Sequence, residues 1–141
     1  MIEIHFSNEH PTATVLSEPF IAAVEYILKD KNITRGEISL AVVDDKKIHE
    51  LNLAYLDHDY PTDVLSFALE EGDNFLEGEV IVSYDTAKQK GVEYAWPPEQ
   101  ELLLYVIHGT LHLVGYDDKE ENARLEMRQK ETEVLRRLGA I

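Results

Sequence analysis

The sequence predicts an α+β fold: one domain over residues 1–141, with a mixed sheet of about four strands, five helices and a metal site at the end of a buried helix. Three observations predict it. Some short runs alternate apolar and polar residues, as half-buried strands do, while longer ones repeat apolar residues at helical spacing. The segments follow in the order β-α-β-α-β-β-α-α-α, which suits one layered structure without an interdomain linker. A chain of 141 residues with 44% hydrophobic and 29% charged side chains is long and apolar enough to bury a core.

"IEIHF" (2–6) alternates as a strand. Ser17 is placed to cap a helix with Pro19 in its first turn, and Phe20, Val24, Ile27 and Leu28 then form an apolar stripe. "EISLAVV" (37–43) is a second strand; Asp44 or Asp45 caps the helix that follows, with Ile48, Leu51 and Tyr55 on one face. "PTDVLSFAL" (61–69) and "GEVIVSY" (78–84) read as a hairpin around a turn-prone connection. A short helix from Asp85 to Lys90 is closed by Gly91. "WPPEQELLLYVIHGTLHLVG" starts a helix at Pro98, places Glu99 and Glu101 at the positive end of its dipole, and ends it at Gly115. Its apolar residues run nearly all the way round, which predicts a helix through the core. The last helix, over 119–140, turns Met127, Val134 and Leu138 inward.

Composition excludes several chemistries. The chain has no cysteine, so disulfides, thiolate nucleophiles and cysteine-ligated zinc are ruled out. His, Asp and Glu are left as the strong metal ligands. No apolar stretch is long enough to span a bilayer, and "MIEIHFSNEH" lacks the basic-then-apolar pattern of a secretory leader, so a cytoplasmic location is expected. A formal charge of −15 opposes non-specific binding to polyanions, so a nucleic-acid role has to rest on a local site.

That site is "HGTLHLVGYDD" (108–118). His108 and His112 are one helical turn apart, which lets two imidazoles meet one cation on an unbent helix. Gly115 stops the helix and turns the chain, and Asp118, rather than Asp117, has the offset to swing back towards the pair. Two helix ligands, a glycine turn and a third ligand beyond it follow the logic of the metzincin zinc site. Three protein ligands leave one zinc position open, as in catalytic centres. The alternative is that both are core histidines, but burying two imidazoles without partners is costly. In zincin peptidases the residue after the first histidine is the glutamate base. Here it is Gly109, which speaks against a peptidase and is expected to leave room beside the metal.

"HGTLHLVGYDD", taken with "LNLAYLDHDYPTDVLSF" and "GEVIVS", resembles the YbeY family of metal-dependent endoribonucleases, bacterial ribosomal-RNA maturation factors. The resemblance covers nearly the whole chain. It implies an α+β fold holding one zinc ion on His108, His112 and Asp118, with both histidines catalytic. It also implies cutting of single-stranded RNA in maturing the 3′ end of small-subunit ribosomal RNA, and a part in ribosome quality control. The partners it implies are ribosomal RNA and a ribosomal protein or assembly GTPase of the small subunit, with no membrane and no DNA. Two positions depart from the family pattern: a third histidine is usual where this chain has Asp118, and an arginine where it has Leu56. Both changes weaken the attraction for a phosphate.

Other readings of the same ligands are a metallopeptidase or small-molecule hydrolase, an assembly factor with a structural zinc, and a non-haem iron oxygenase. Thr62 and Asp63 fit either a turn cap or the cleft. His5, His10, His49 and His58 read as surface or packing residues, and Ser66 has no base near it in sequence. The basic clusters Lys29, Lys31, Arg35 and Lys46, Lys47 suit solvated faces as well as phosphate contacts.

Overall fold

The computed structural model describes residues 2–141. Its elements are β1 (Ile2–Asn8), α1 (Glu18–Asp30), β2 (Arg35–Val43), α2 (Asp45–Leu56), β3 (Val64–Gly72), β4 (Phe75–Ser83), α3 (Tyr84–Tyr94), α4 (Pro98–Leu113) and α5 (Glu121–Arg137). Type and order follow the sequence reading: an α+β architecture with a mixed four-stranded sheet and five helices among the described residues. The sheet order is β1-β2-β4-β3, with β1, β2 and β4 parallel and β3 antiparallel to β4.

Side-chain alternation assigns the two faces of the sheet. Ile38, Leu40 and Val42 of β2 and Leu76, Val80 and Val82 of β4 turn to the larger core, which α1, α4 and α5 complete. The opposite parity, Val43 and Ile81, joins Leu65 and Ile48 in a smaller core under α2. Ten residues of α4 are buried, as its all-round apolar pattern requires. Its axis therefore runs against β3 and β4, with α1, α3 and α5 as its other neighbours.

Boundaries moved where long-range pairing or packing outweighed local signals. The β3–β4 hairpin closes at Gly72↔Phe75, so most of the connection read as turn is strand, with a bulge between Ala68 and Glu70. Ser17 occupies the N-cap of α1 without a side-chain cap bond. Asp44 caps α2, accepting from the Lys47 N–H at 2.8 Å. Tyr55 does not join the inward face of α2: it is exposed, edge-on to Phe67, and the buried side chains of the helix are Ile48 and Asn52. Gly91 does not close α3. It is a buried residue within the helix, and a Cβ there would meet the Trp96 carbonyl at 2.6 Å, so the chain passes too close for any side chain. In α5 the buried residues are Met127, Val134 and Leu135, while Leu138 packs at the edge of the core. Among the described residues no helix is long and apolar enough to cross a membrane.

Candidate metal centre

α4 ends as its sequence dictates. Gly115 sits at φ +104°, a conformation β-carbon residues resist, and the Tyr116 N–H returns to the Leu111 carbonyl at 3.0 Å. The reversal carries Asp118 back over the last turn of the helix. His108 Nε2 and His112 Nε2 are 3.2 Å apart, and Asp118 Oδ2 lies 3.5 Å from the first and 3.6 Å from the second. The structure thus brings together the three residues that the spacing nominates. Asp117 stays outside the group, accepting the Lys119 N–H at 3.0 Å in the turn itself.

Hydrogen bonds on the far side of each ring fix what faces inward. His112 Nδ1 lies 3.1 Å from the Tyr116 carbonyl, which can only accept, so Nδ1 carries the proton and Nε2 presents a lone pair. His108 Nδ1 is 2.6 Å from Glu131 Oε2 on α5, which sets the same tautomer. With both histidines neutral, two imidazole lone pairs and a carboxylate oxygen therefore converge. Acceptors held this close repel one another unless a proton or a cation lies between them.

The distances decide whether a cation fits. A point equidistant from these three atoms lies about 2.0 Å from each, the bond length zinc makes to imidazole nitrogen and carboxylate oxygen. Both histidines are about 30% exposed and Asp118 about 44%, so the group is reachable from solvent. Burial disfavours the charged form of His108, but Glu131, then Asp118 and Asp63, outweigh it and raise its pKa above the ordinary histidine value. The surroundings thus favour positive charge at the point where the three residues converge.

Glu131 is the residue the sequence did not reveal. It lies in a helix of mixed charges with nothing local to separate it from its neighbours, and it is placed by packing of α5 on α4. Its bond to His108 is the carboxylate–histidine pairing that orients metal ligands and increases their basicity. Asp63 makes the local turn contact and also borders a cavity. Its Oδ1 accepts the Val64 N–H at 2.8 Å, and its side chain lines a cavity of about 300 Å³ beside His108 and Glu131. Leu56 ends α2 as an exposed residue. Among the basic clusters, Lys31 stacks over the Tyr116 ring at 4.7 Å and Arg35 donates to the Asp73 carbonyl. His10, read as isolated, is tied to Asp85 at 2.8 Å and so packs the β1 exit against α3.

Gly109 needs a correction. It does not open room beside the histidines. It is buried and faces the sheet, where a Cβ would lie 2.8 Å from Val80 Cγ1 and 3.0 Å from Val64 Cγ2. Lacking a side chain, it allows α4 to sit close on β3 and β4. A glutamate base at this position would be driven into the sheet, so the peptidase arrangement is sterically excluded in this packing.

Comparison with known proteins agrees over nearly the full chain. The family profile described as Endoribonuclease YbeY matches residues 3–139. Among the similar curated proteins, the endoribonuclease YbeY of Rhodopirellula baltica is 39% identical over 140 residues, covering 98% of this chain and 70% of that protein. That of Syntrophotalea carbinolica is 38% identical over 143 residues, covering 96% of this chain and 95% of that one. The solution structure of TM1509 from Thermotoga maritima superposes with a TM-score of 0.69 at 32% identity, covering 96% of this chain and 88% of that one. With both sequence and fold in agreement, the chain belongs to the endoribonuclease YbeY family.

Proposed function

We propose that this protein is a zinc-dependent, single-strand-specific endoribonuclease that acts in maturing the 3′ end of small-subunit ribosomal RNA and in ribosome quality control. Membership of an endoribonuclease family supports RNA as the substrate class. The observation that carries the metal dependence is the convergence of His108 Nε2, His112 Nε2 and Asp118 Oδ2 around one point.

In this reading His108, His112 and Asp118 hold one zinc ion. A divalent ion there supplies Lewis acidity towards a phosphate oxygen of the scissile linkage. The protein's own part is to hold the donors ready. Glu131 and the Tyr116 carbonyl keep the two rings in the tautomer that turns Nε2 inward. Asp118 adds one negative charge to a donor set that would otherwise be neutral, which tightens the hold on a cation and weakens the pull on phosphate relative to three histidines. Beside the centre, His108 borders the cavity that Asp63 and Glu131 line.

The implied partners, a ribosomal protein or assembly GTPase of the small subunit, belong to the same proposal, as does a cytoplasmic location. A basic ribosomal protein is the better electrostatic match to a chain of charge −15. The test measures zinc content and cleavage of single-stranded RNA on one preparation. About one equivalent of zinc is expected, with cleavage abolished by a chelator and by His112→Ala. Equal cutting by zinc-stripped protein would overturn the metal's part, and zinc-loaded protein that binds ribosomal protein without cutting RNA would favour an assembly factor.

A further inference from the structure

The cavity beside His108 has walls that a metal centre alone does not require. Glu101, Tyr105 and His108 follow one another at i, i+4 and i+7 along one face of α4, so the cavity leads directly to a candidate metal ligand. Glu101 is only 4% exposed, a rare degree of burial for a carboxylate. Its Oε1 accepts the indole N–H of Trp96 at 2.8 Å. Beside it the Tyr105 hydroxyl is sealed from solvent. Burial first, then a hydrogen bond to Glu101, push that phenol's pKa upward. Trp96 and the exposed Tyr94 complete the wall.

We infer that this cavity is a base-binding subsite next to the metal, and that it selects guanine. The inference rests on the endoribonuclease reading for its substrate class. At about 300 Å³ the space suits one nucleobase. Aromatic side chains offer stacking surface to any base, whereas the hydrogen-bonding groups discriminate. A carboxylate only accepts. Guanine presents two adjacent donors on one edge, N1–H and the N2 amine, and so can engage a carboxylate twice. Adenine and cytosine place a ring acceptor beside their amine, and uracil flanks its single N–H with carbonyls, so each sets a lone pair against Glu101.

Trp96 is the chain's only tryptophan, so its fluorescence reports this cavity directly. Purified protein is titrated with GMP, IMP, AMP, CMP and UMP, with chelator present and absent. GMP is expected to quench the emission at a concentration at least tenfold below AMP, CMP and UMP. IMP, lacking the N2 amine, should fall several-fold short of GMP. Glu101→Gln should bring GMP to the level of the other nucleotides. Equal responses to all five, or no response, overturn the proposal. Should Glu101→Gln fail to fold, Tyr94→Ala replaces it; a several-fold loss for GMP supports the subsite, and an unchanged titration overturns it. The readout uses neither metal nor cleavage. Selective GMP binding by a protein that cuts no RNA would overturn the nuclease reading alone, and cleavage without GMP selectivity would overturn the subsite alone.

Discussion

Glu131 of α5 accepts the Nδ1 proton of His108 of α4 at 2.6 Å, so the last helix fixes the orientation of a ring on the helix before it. Outer carboxylates of this kind contribute about 10–100-fold to metal affinity. Glu131→Ala is therefore expected to weaken zinc binding by about that factor in competition with a chromophoric chelator, with Glu131→Gln falling between it and the wild type. Affinity unchanged in both variants would mean that α4 alone positions the ligand.

Asp118 and Asp117 are adjacent in sequence but differ in surroundings. Asp118→Ala is expected to lose bound zinc under dialysis, while Asp117→Ala, which removes a turn contact to the Lys119 N–H, should keep it. The reverse result would reassign the third ligand. Asp118→His should retain the metal and, by removing one negative charge, raise RNA cleavage.

Leu56 is an exposed residue at the end of α2, so arginine can stand there with little effect on folding. Leu56→Arg is expected to lower the KM for RNA several-fold at low salt and to steepen the salt dependence of binding by about one phosphate contact. Its melting temperature should match the wild type. A KM that does not move would place this position away from the RNA path.

Gly109 faces Val80 and Val64 with no room for a β-carbon. Gly109→Ala should cost about 1–3 kcal/mol, the range for overpacking a core, measured by urea unfolding. Gly109→Glu should unfold the protein or displace α4, and no casein cleavage should appear. A stable, peptide-cutting Gly109→Glu variant would refute the packing described here.

Lys130 joins α5 to α1. It donates to Asp30 at 2.8 Å and to Glu133 at 2.7 Å. Its hydrogen bonds are the largest cause of the lowered pKa values of both carboxylates. Burial works against the ammonium, but the two carboxylates outweigh it and raise Lys130. Depressed acids contribute stability above their unfolded pKa of about 4, which is lost as pH falls through their folded values. The raised lysine contributes below its unfolded pKa of about 10.4 and loses that only as pH rises through its folded value. The clamp is thus fully present from about pH 5 to about pH 10. Lys130→Met should cost about 1 kcal/mol at pH 7, the range for exposed ion pairs, and progressively less as acid takes the pH down through the folded values of Asp30 and Glu133. A cost that does not change with pH would make the contribution one of packing.

The donors of the centre were legible because they are local. Helical pitch puts His108 and His112 on one face, and Gly115 stops the helix where Asp118 can return. The parallel order of β1, β2 and β4 was not legible, since periodicity marks strands without saying which ones pair. Tyr55 differs for a related reason: its spacing fits the inward face of α2, but it lies exposed with its ring edge-on to Phe67 of β3.

By itself the sequence determined the element types, the two imidazoles, the helix stop and the absence of thiol chemistry, because each depends on residues within a turn or two of one another. The tertiary structure decided the rest. Glu131 reaches His108 across 23 positions of chain, Gly109 turns to the sheet, and Glu101 lies nearly buried beside Trp96 at the edge of a cavity. These relationships arise where separate segments pack against one another, and apolar burial, being non-directional, leaves no local pattern that records which segments will meet.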